Sequence, residues 1–127
     1  MKPKERMLAA LRFQQPDDQV PSCPLMPMIA DAGVNALQAI DPIAGMDIVV
    51  LKQEYDGRLC LIGNVNCLTL QFGPPAAIDA ECRRIIEGCK WGGGFVFGSS
   101  NAVFRGIPPE HYRVAIEAIR KYGRYDR

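Results

Sequence analysis

Two apolar stretches constrain the fold more than anything else in the chain: "RLCLIGNV", from Arg58 to Val65, and "GGFVFGSS", from Gly93 to Ser100. Hydrophobicity does not alternate in either, since Leu59 to Ile62 and Phe95 to Phe97 are continuous apolar runs. A strand with one wet face alternates apolar with polar residues, whereas a strand covered on both faces does not. Both stretches are therefore expected to be buried strands. Helical patterns separate and follow them. Asp47 is a good N-cap for a helix that carries Ile48, Leu51 and Tyr55 inward and closes at Gly57. After a loop, Pro74-Pro75 opens a second helix reaching about Cys89, with Ile78, Cys82, Ile85 and Cys89 on one stripe. A last helix is expected from Pro109 to Tyr122. Its inner face is Tyr112, Ala115, Ile116 and Ile119, and Arg120 and Lys121 suit the negative pole of its dipole. Upstream, a short helical piece ends at Gly33, and "VNALQAI", Val34 to Ile40, reads as a strand stopped by Asp41-Pro42.

Strand and helix alternating with short connections means parallel pairing through right-handed crossovers. The expected fold class is α/β, with about three parallel strands and flanking helices. Before this repeat, Pro3 to Phe13 reads as a helix with Met7, Leu8 and Leu11 on one face. "QQPDDQVPSCPLMP", from Gln14 to Pro27, follows as an extended or looped linker, because each of its four prolines fixes φ and restricts the residue before it. A chain of 127 residues suits one domain. Within it, residues 1–20 form the first helix and the start of the linker, and residues 28–127 form the β/α units.

Charge narrows the partners. With 15 basic and 14 acidic side chains, neither sign dominates, so no nucleic-acid or anionic-membrane partner is expected. No apolar run reaches the roughly 18 residues that span a bilayer, and "MKPKERMLAALRFQQ" lacks a secretory core, so a cytoplasmic protein is expected. The five cysteines, Cys23, Cys60, Cys67, Cys82 and Cys89, form an odd set that suits reduced thiols. No two of them sit at the two- to four-residue separation of zinc ligands, and the single histidine, His111, is remote from them. No metal site is expected; Cys67, just past the second strand, is the one candidate ligand. Cys82 and Cys89 are expected to be core thiols.

Parallel α/β folds bind ligands beyond the carboxyl ends of their strands. The first strand ends in Asp41, the second in Asn64 and Asn66, the third in Ser99, Ser100 and Asn101. These six residues are the ligand-binding candidates, suited to a small polar or carboxylated ligand. They are also the ordinary residues of turns and helix caps, so a structural reading stands beside the functional one. Gly92, Gly93 and Gly94 precede a strand instead of leading from a strand into a helix, which excludes a phosphate-binding fingerprint.

Three segments resemble one known family. "PKERMLAALRFQQPDDQVP" resembles the opening of uroporphyrinogen decarboxylase-family proteins, and "ALQAIDPIAGMDIVVLKQEYDGRLCLIGNVN" their later barrel section. "GGGFVFGSSNAVFRGIPPEHYRVAIEAIRKYGRY" is similar to their C-terminal unit. The resemblance implies a (β/α)-barrel (TIM barrel) ancestry with the active site at the C-terminal face, and a role in tetrapyrrole metabolism. Because such a barrel needs roughly 250 residues, it also implies a partial barrel whose middle is absent. The family's decarboxylases imply no cofactor. Its corrinoid-dependent methyltransferases are the alternative, and a non-catalytic binding or assembly remnant is a third reading.

In this resemblance Asn101 stands where decarboxylases have histidine and zinc methyltransferases a cysteine ligand. An amide neither exchanges a proton near neutral pH nor replaces a thiolate on zinc. The implied protein is weak or inactive as a lone chain, its catalytic residues unknown. His111, in the first turn of the last helix, is expected to be solvated. An open barrel leaves strand edges with unpaired backbone groups, so homo-oligomers are expected, through sheets joined edge to edge or face to face.

Overall fold

The computed structural model describes residues 26–38 and 40–125. The expected helix at Pro3 to Phe13, most of the linker and Cys23 lie outside the described residues. Contacts divide the chain after Val34, and each unit is described by itself. The first contains α1 (Met26–Asp31). It takes in the last two residues of the expected linker: Pro27 falls in the helix's first turn, where a proline's missing N–H costs nothing.

The second unit begins at Asn35 and holds the β/α repeat. In chain order come β1 (Ala36–Leu37), a 3₁₀ turn (Pro42–Ala44), α2 (Ile48–Tyr55), β2 (Cys60–Val65), α3 (Cys67–Phe72), α4 (Pro75–Cys89), β3 (Phe95–Ser99) and α5 (Pro109–Tyr122). The strands form one sheet in the order β1-β2-β3, and both pairings are parallel. The unit is α/β, a partial (β/α) unit of the TIM-barrel type. Register is fixed by Ala36 opposite Cys60 and by Leu61 opposite Phe95.

Local chemistry accounts for the elements. The Asp47 carboxylate accepts the Val49 N–H at 2.9 Å and starts α2. Pro75 opens α4, whose buried stripe of Ile78, Cys82, Ile85, Ile86 and Cys89 is the expected one with Ile86 added. Removing each of these isoleucines from water contributes about 1.5–3 kcal/mol, so this face anchors the core beneath β2.

Several expectations need correction. The first strand is two residues long, not seven, because the chain leaves the ladder after Leu37 to bury Ile40 completely and to close the 3₁₀ turn at Asp41. β3 is not covered on both faces: Phe97 lines a groove with Tyr112 and Ile116, whereas Val96, which alternates to the opposite face, is 51% exposed. The stretch after Asn66, expected to be a loop, is α3, with Asn66 as its N-cap. In α2 the inward positions are Ile48, Lys52 and Tyr55, with Leu51 half-buried. Lys52 is only 5% exposed and pairs with Asp56, which keeps its charge compensated while its methylene stem is buried. In α5 the buried residues are Ala115 and Ala118, while Tyr112, Ile116 and Ile119 are half-buried. The small alanines let α5 lie along α4, where the Tyr122 hydroxyl donates to Asp79 at 2.8 Å. This leaves an apolar groove of about 150 Å³ between α5 and β3.

Candidate functional site

β2 and β3 run parallel, so their carboxyl ends deliver Asn64, Asn66, Ser99, Ser100 and Asn101 to one edge of the sheet. Asn64 is 2% exposed, and its Nδ2 donates to the Met46 carbonyl at 3.1 Å. That bond holds the loop before α2 against the end of β2. Asn66 uses Oδ1 to accept the Leu68 N–H at 2.9 Å, and its own N–H donates to Glu81 Oε1 at 2.8 Å. Ser100 is buried, extending the β2–β3 ladder through its N–H to the Val65 carbonyl at 2.8 Å. Its hydroxyl donates to Cys67 Sγ at 3.6 Å, and that thiol faces the Asn101 carbonyl at 3.9 Å. Ser99 Oγ donates to the same carbonyl at 2.6 Å.

Asp41 behaves differently. Its carboxylate accepts the Ile43 N–H at 2.9 Å and caps its own 3₁₀ turn. The structure joins it to the others only through backbone: the Met46 N–H donates to the Asp41 carbonyl, and the Met46 carbonyl accepts from Asn64. The cap and turn reading thus describes Asp41 and part of Asn66. Asn101 retains the most capacity. It is exposed, its Oδ1 accepts only the adjacent Ala102 N–H at 2.8 Å, and its Nδ2 has no protein partner among the described residues. An exposed amide of this kind donates to a carboxylate or carbonyl.

Cys67 is the residue that sequence reasoning undervalued. It is buried and sits at the centre of the rim, where Ser100 and the Asn101 carbonyl meet it. Asn66 before a short apolar run was the available signal, since an N-cap places the next residue in the first helical turn. Among the described residues no group of three or more His, Cys, Asp or Glu side chains is placed to hold a metal ion. His111 is not solvated as expected. Its Nδ1 donates to the Leu70 carbonyl at 2.8 Å, and its ring packs so close to Gly73 that a Cβ there would lie 2.9 Å from Cε1. It therefore braces α5 against the end of α3.

Apolar surface flanks this rim. Leu68 and Phe72 of α3, and Val103 and Phe104 of the loop after β3, are all exposed. The two segments meet at Gly106, where a side chain would collide with Phe104 and Gln71. A cavity of about 290 Å³ lies at the opposite end of the sheet, among Asn35, Asp56, Arg58 and Gly92.

Comparison with known proteins decides the family. The model described as uroporphyrinogen decarboxylase (URO-D) matches residues 20–122. The chain belongs to the uroporphyrinogen decarboxylase family. The uroporphyrinogen decarboxylases of Escherichia coli O1:K1, of Escherichia coli K12 / DH10B and of Shigella boydii serotype 18 are each 32% identical to it over 75 residues. That match takes in 59% of this chain and 21% of each relative, so the chain spans about a fifth of the length of the curated relatives it matches. Membership of the uroporphyrinogen decarboxylase family explains the parallel sheet and the gathering of polar groups at its carboxyl edge. No helix among the described residues is long and apolar enough to cross a membrane.

Proposed function

We propose that this chain contributes a ligand-binding rim to tetrapyrrole metabolism in the cytoplasm, holding a carboxylated tetrapyrrole without decarboxylating it on its own. The observation that carries this reading is Asn101. An exposed amide with an unused Nδ2 occupies the carboxyl end of β3, the strand edge where parallel α/β enzymes place their chemistry. An amide donor recognises a carboxylate, and the exposed Leu68, Phe72, Val103 and Phe104 suit the apolar body of a large ring. Decarboxylation needs a group that holds or transfers a proton as the carbon–carbon bond breaks. Asn101 cannot exchange one, and His111 spends its Nδ1 on the Leu70 carbonyl.

The test has two arms. Absorbance titration of the chain with uroporphyrin III, the stable oxidised ring, is expected to show saturable binding that Asn101→Ala weakens roughly tenfold, as loss of one hydrogen bond to a charged group does. Incubation with uroporphyrinogen III is expected to release no coproporphyrinogen. Absence of porphyrin binding overturns the binding role, and turnover at enzymatic rates overturns the non-catalytic one.

A further inference from the structure

The loop that carries Asn101 away from β3 also carries a charge that nothing among the described residues uses. Arg105 follows Asn101 in the segment between β3 and α5. It is exposed, and among the described residues its guanidinium makes no hydrogen bond, ion pair or ring contact. The turn beneath it is fixed. The Ile107 N–H donates to the Phe104 carbonyl at 3.0 Å, which puts Arg105 and Gly106 at the corner of a tight turn. Ile107 is buried, and Gly106 packs so closely that a side chain there would collide with Phe104 and with Gln71 of α3. The Arg105 backbone is therefore held beside α3, at the carboxyl edge of the sheet. The carboxylates of the neighbouring loops and helices are bound within the chain: Asp41 caps its own turn, Asp47 pairs with Arg84, and Glu81 accepts the Asn66 N–H. Glu110, in the first turn of α5, makes no ion pair with Arg105. The cation of this edge is left for an acid that the described residues do not supply.

We propose that Arg105 binds one carboxylate of a ligand whose neighbouring carboxylate meets the Asn101 amide, so that the rim selects rings by the acid groups on their periphery. This rests on the binding role proposed above. A guanidinium presents parallel N–H donors to a single carboxylate, and such charge-assisted bonds are roughly twice as strong as neutral ones. Asn101 Nδ2 supplies the weaker, neutral contact on the same loop. Between the two residues in the chain stand Val103 and Phe104, both exposed and apolar. Two acid-binding groups flanking an apolar pair describe a ligand with carboxylates spaced around a hydrophobic body. A small monoacid would leave Phe104 and one of the donors unused. Of the two contacts, only the one to Arg105 joins opposite charges, so it is the one that gives binding its dependence on salt.

Absorbance titration of the full chain with uroporphyrin III, at low and at high salt, tests this. Arg105→Gln is expected to weaken binding about tenfold and to flatten its dependence on salt, because a contact between opposite charges is lost. Asn101→Ala removes a neutral donor and is expected to keep the salt dependence of the unaltered chain. Arg105→Lys keeps the charge without the fork and is expected to bind more tightly than Arg105→Gln but less tightly than the unaltered chain. Arg120→Gln, in the last turn of α5, changes the net charge equally and is expected to leave binding unaltered. Circular dichroism and the urea midpoint are expected to stay the same for both Arg105 variants, since the side chain has no contact in the fold to lose. No saturable binding by the unaltered chain overturns the binding role, and this assignment with it. Saturable binding that Arg105→Gln leaves unchanged, that Arg120→Gln weakens as much, or whose salt dependence survives Arg105→Gln overturns the assignment to Arg105 alone.

Discussion

The Ser100 hydroxyl donates to Cys67 Sγ across 3.6 Å, joining the loop after β3 to the first turn of α3. This contact is buried on both sides, and the same sulfur faces the carbonyl of Asn101. The geometry of the polar rim thus depends on a thiol and a hydroxyl 33 residues apart in sequence. Ser100→Ala is expected to lower stability by about 1 kcal/mol, the usual worth of one neutral hydrogen bond. Urea denaturation measures it, and an unchanged midpoint would show that the contact carries no energy.

Gly88 sits where α4 crosses α2. A Cβ built there lies 2.8 Å from both methyl groups of Val49, well inside contact distance. Alanine is the better helix former by up to about 1 kcal/mol, so a glycine with open space around it would stabilise the helix when replaced this way. Here overpacking of about 1–3 kcal/mol opposes that gain. Gly88→Ala is expected to lower the melting temperature, and adding Val49→Ala to recover much of it; a stabilised single variant would contradict the crossing.

What the sequence disclosed follows physical range. The positions of β2 and β3, the Asp47 cap and the α4 stripe are signals written within a few residues of one another, and they appear in the structure much as read, whereas the covering of both faces of β3 does not. The shortness of β1 was hidden because its length depends on where Cys60 and Leu61 pair with it. α3 was hidden by its six residues, too few to show a helical period. The role of His111 rests on the Leu70 carbonyl, 41 residues away, and on the absence of a side chain at Gly73. At the rim, strand order was enough to gather Asn64, Asn66, Ser99, Ser100 and Asn101, but not to show which hydrogen-bonding groups remain unspent. Asp41 illustrates the difference, because an aspartate before proline serves its own turn whether or not a ligand is near.

Asp47 gives the fold a pH dependence. Burial works to raise its carboxyl, but the Val49 N–H and the Arg84 guanidinium at 3.1 Å prevail and hold it below the ordinary value of 3.8. A carboxyl depressed in the folded state stabilises the fold above the unfolded-state value and loses that contribution as pH falls through the folded one. Stability should therefore decline from about pH 5 towards pH 3. Asp47→Asn keeps a capping oxygen but removes the charge. It is expected to flatten the slope in part, with Asp56, lowered by its Lys52 partner, supplying some of the remainder. Urea midpoints across that range check this, and identical slopes for the two proteins would remove Asp47 as a cause.

The thiols offer a test of the core itself. Burial pushes the Cys82 thiol up to about 12, with Glu81 and Asp79 adding to the effect, and burial pushes Cys89 up to about 11. The attacking species in alkylation is the thiolate, so both groups combine a scarce reactive form with no access, each being fully buried. Cys60, on β2, is half-buried instead. Iodoacetamide at pH 8, followed by peptide mass spectrometry, should label Cys60 well before Cys82 or Cys89. Labelling of those two should track global unfolding and accelerate together in urea. Early modification of either under native conditions would mean that the stripe joining α4 to the sheet opens locally, so that the interior is not built on that face.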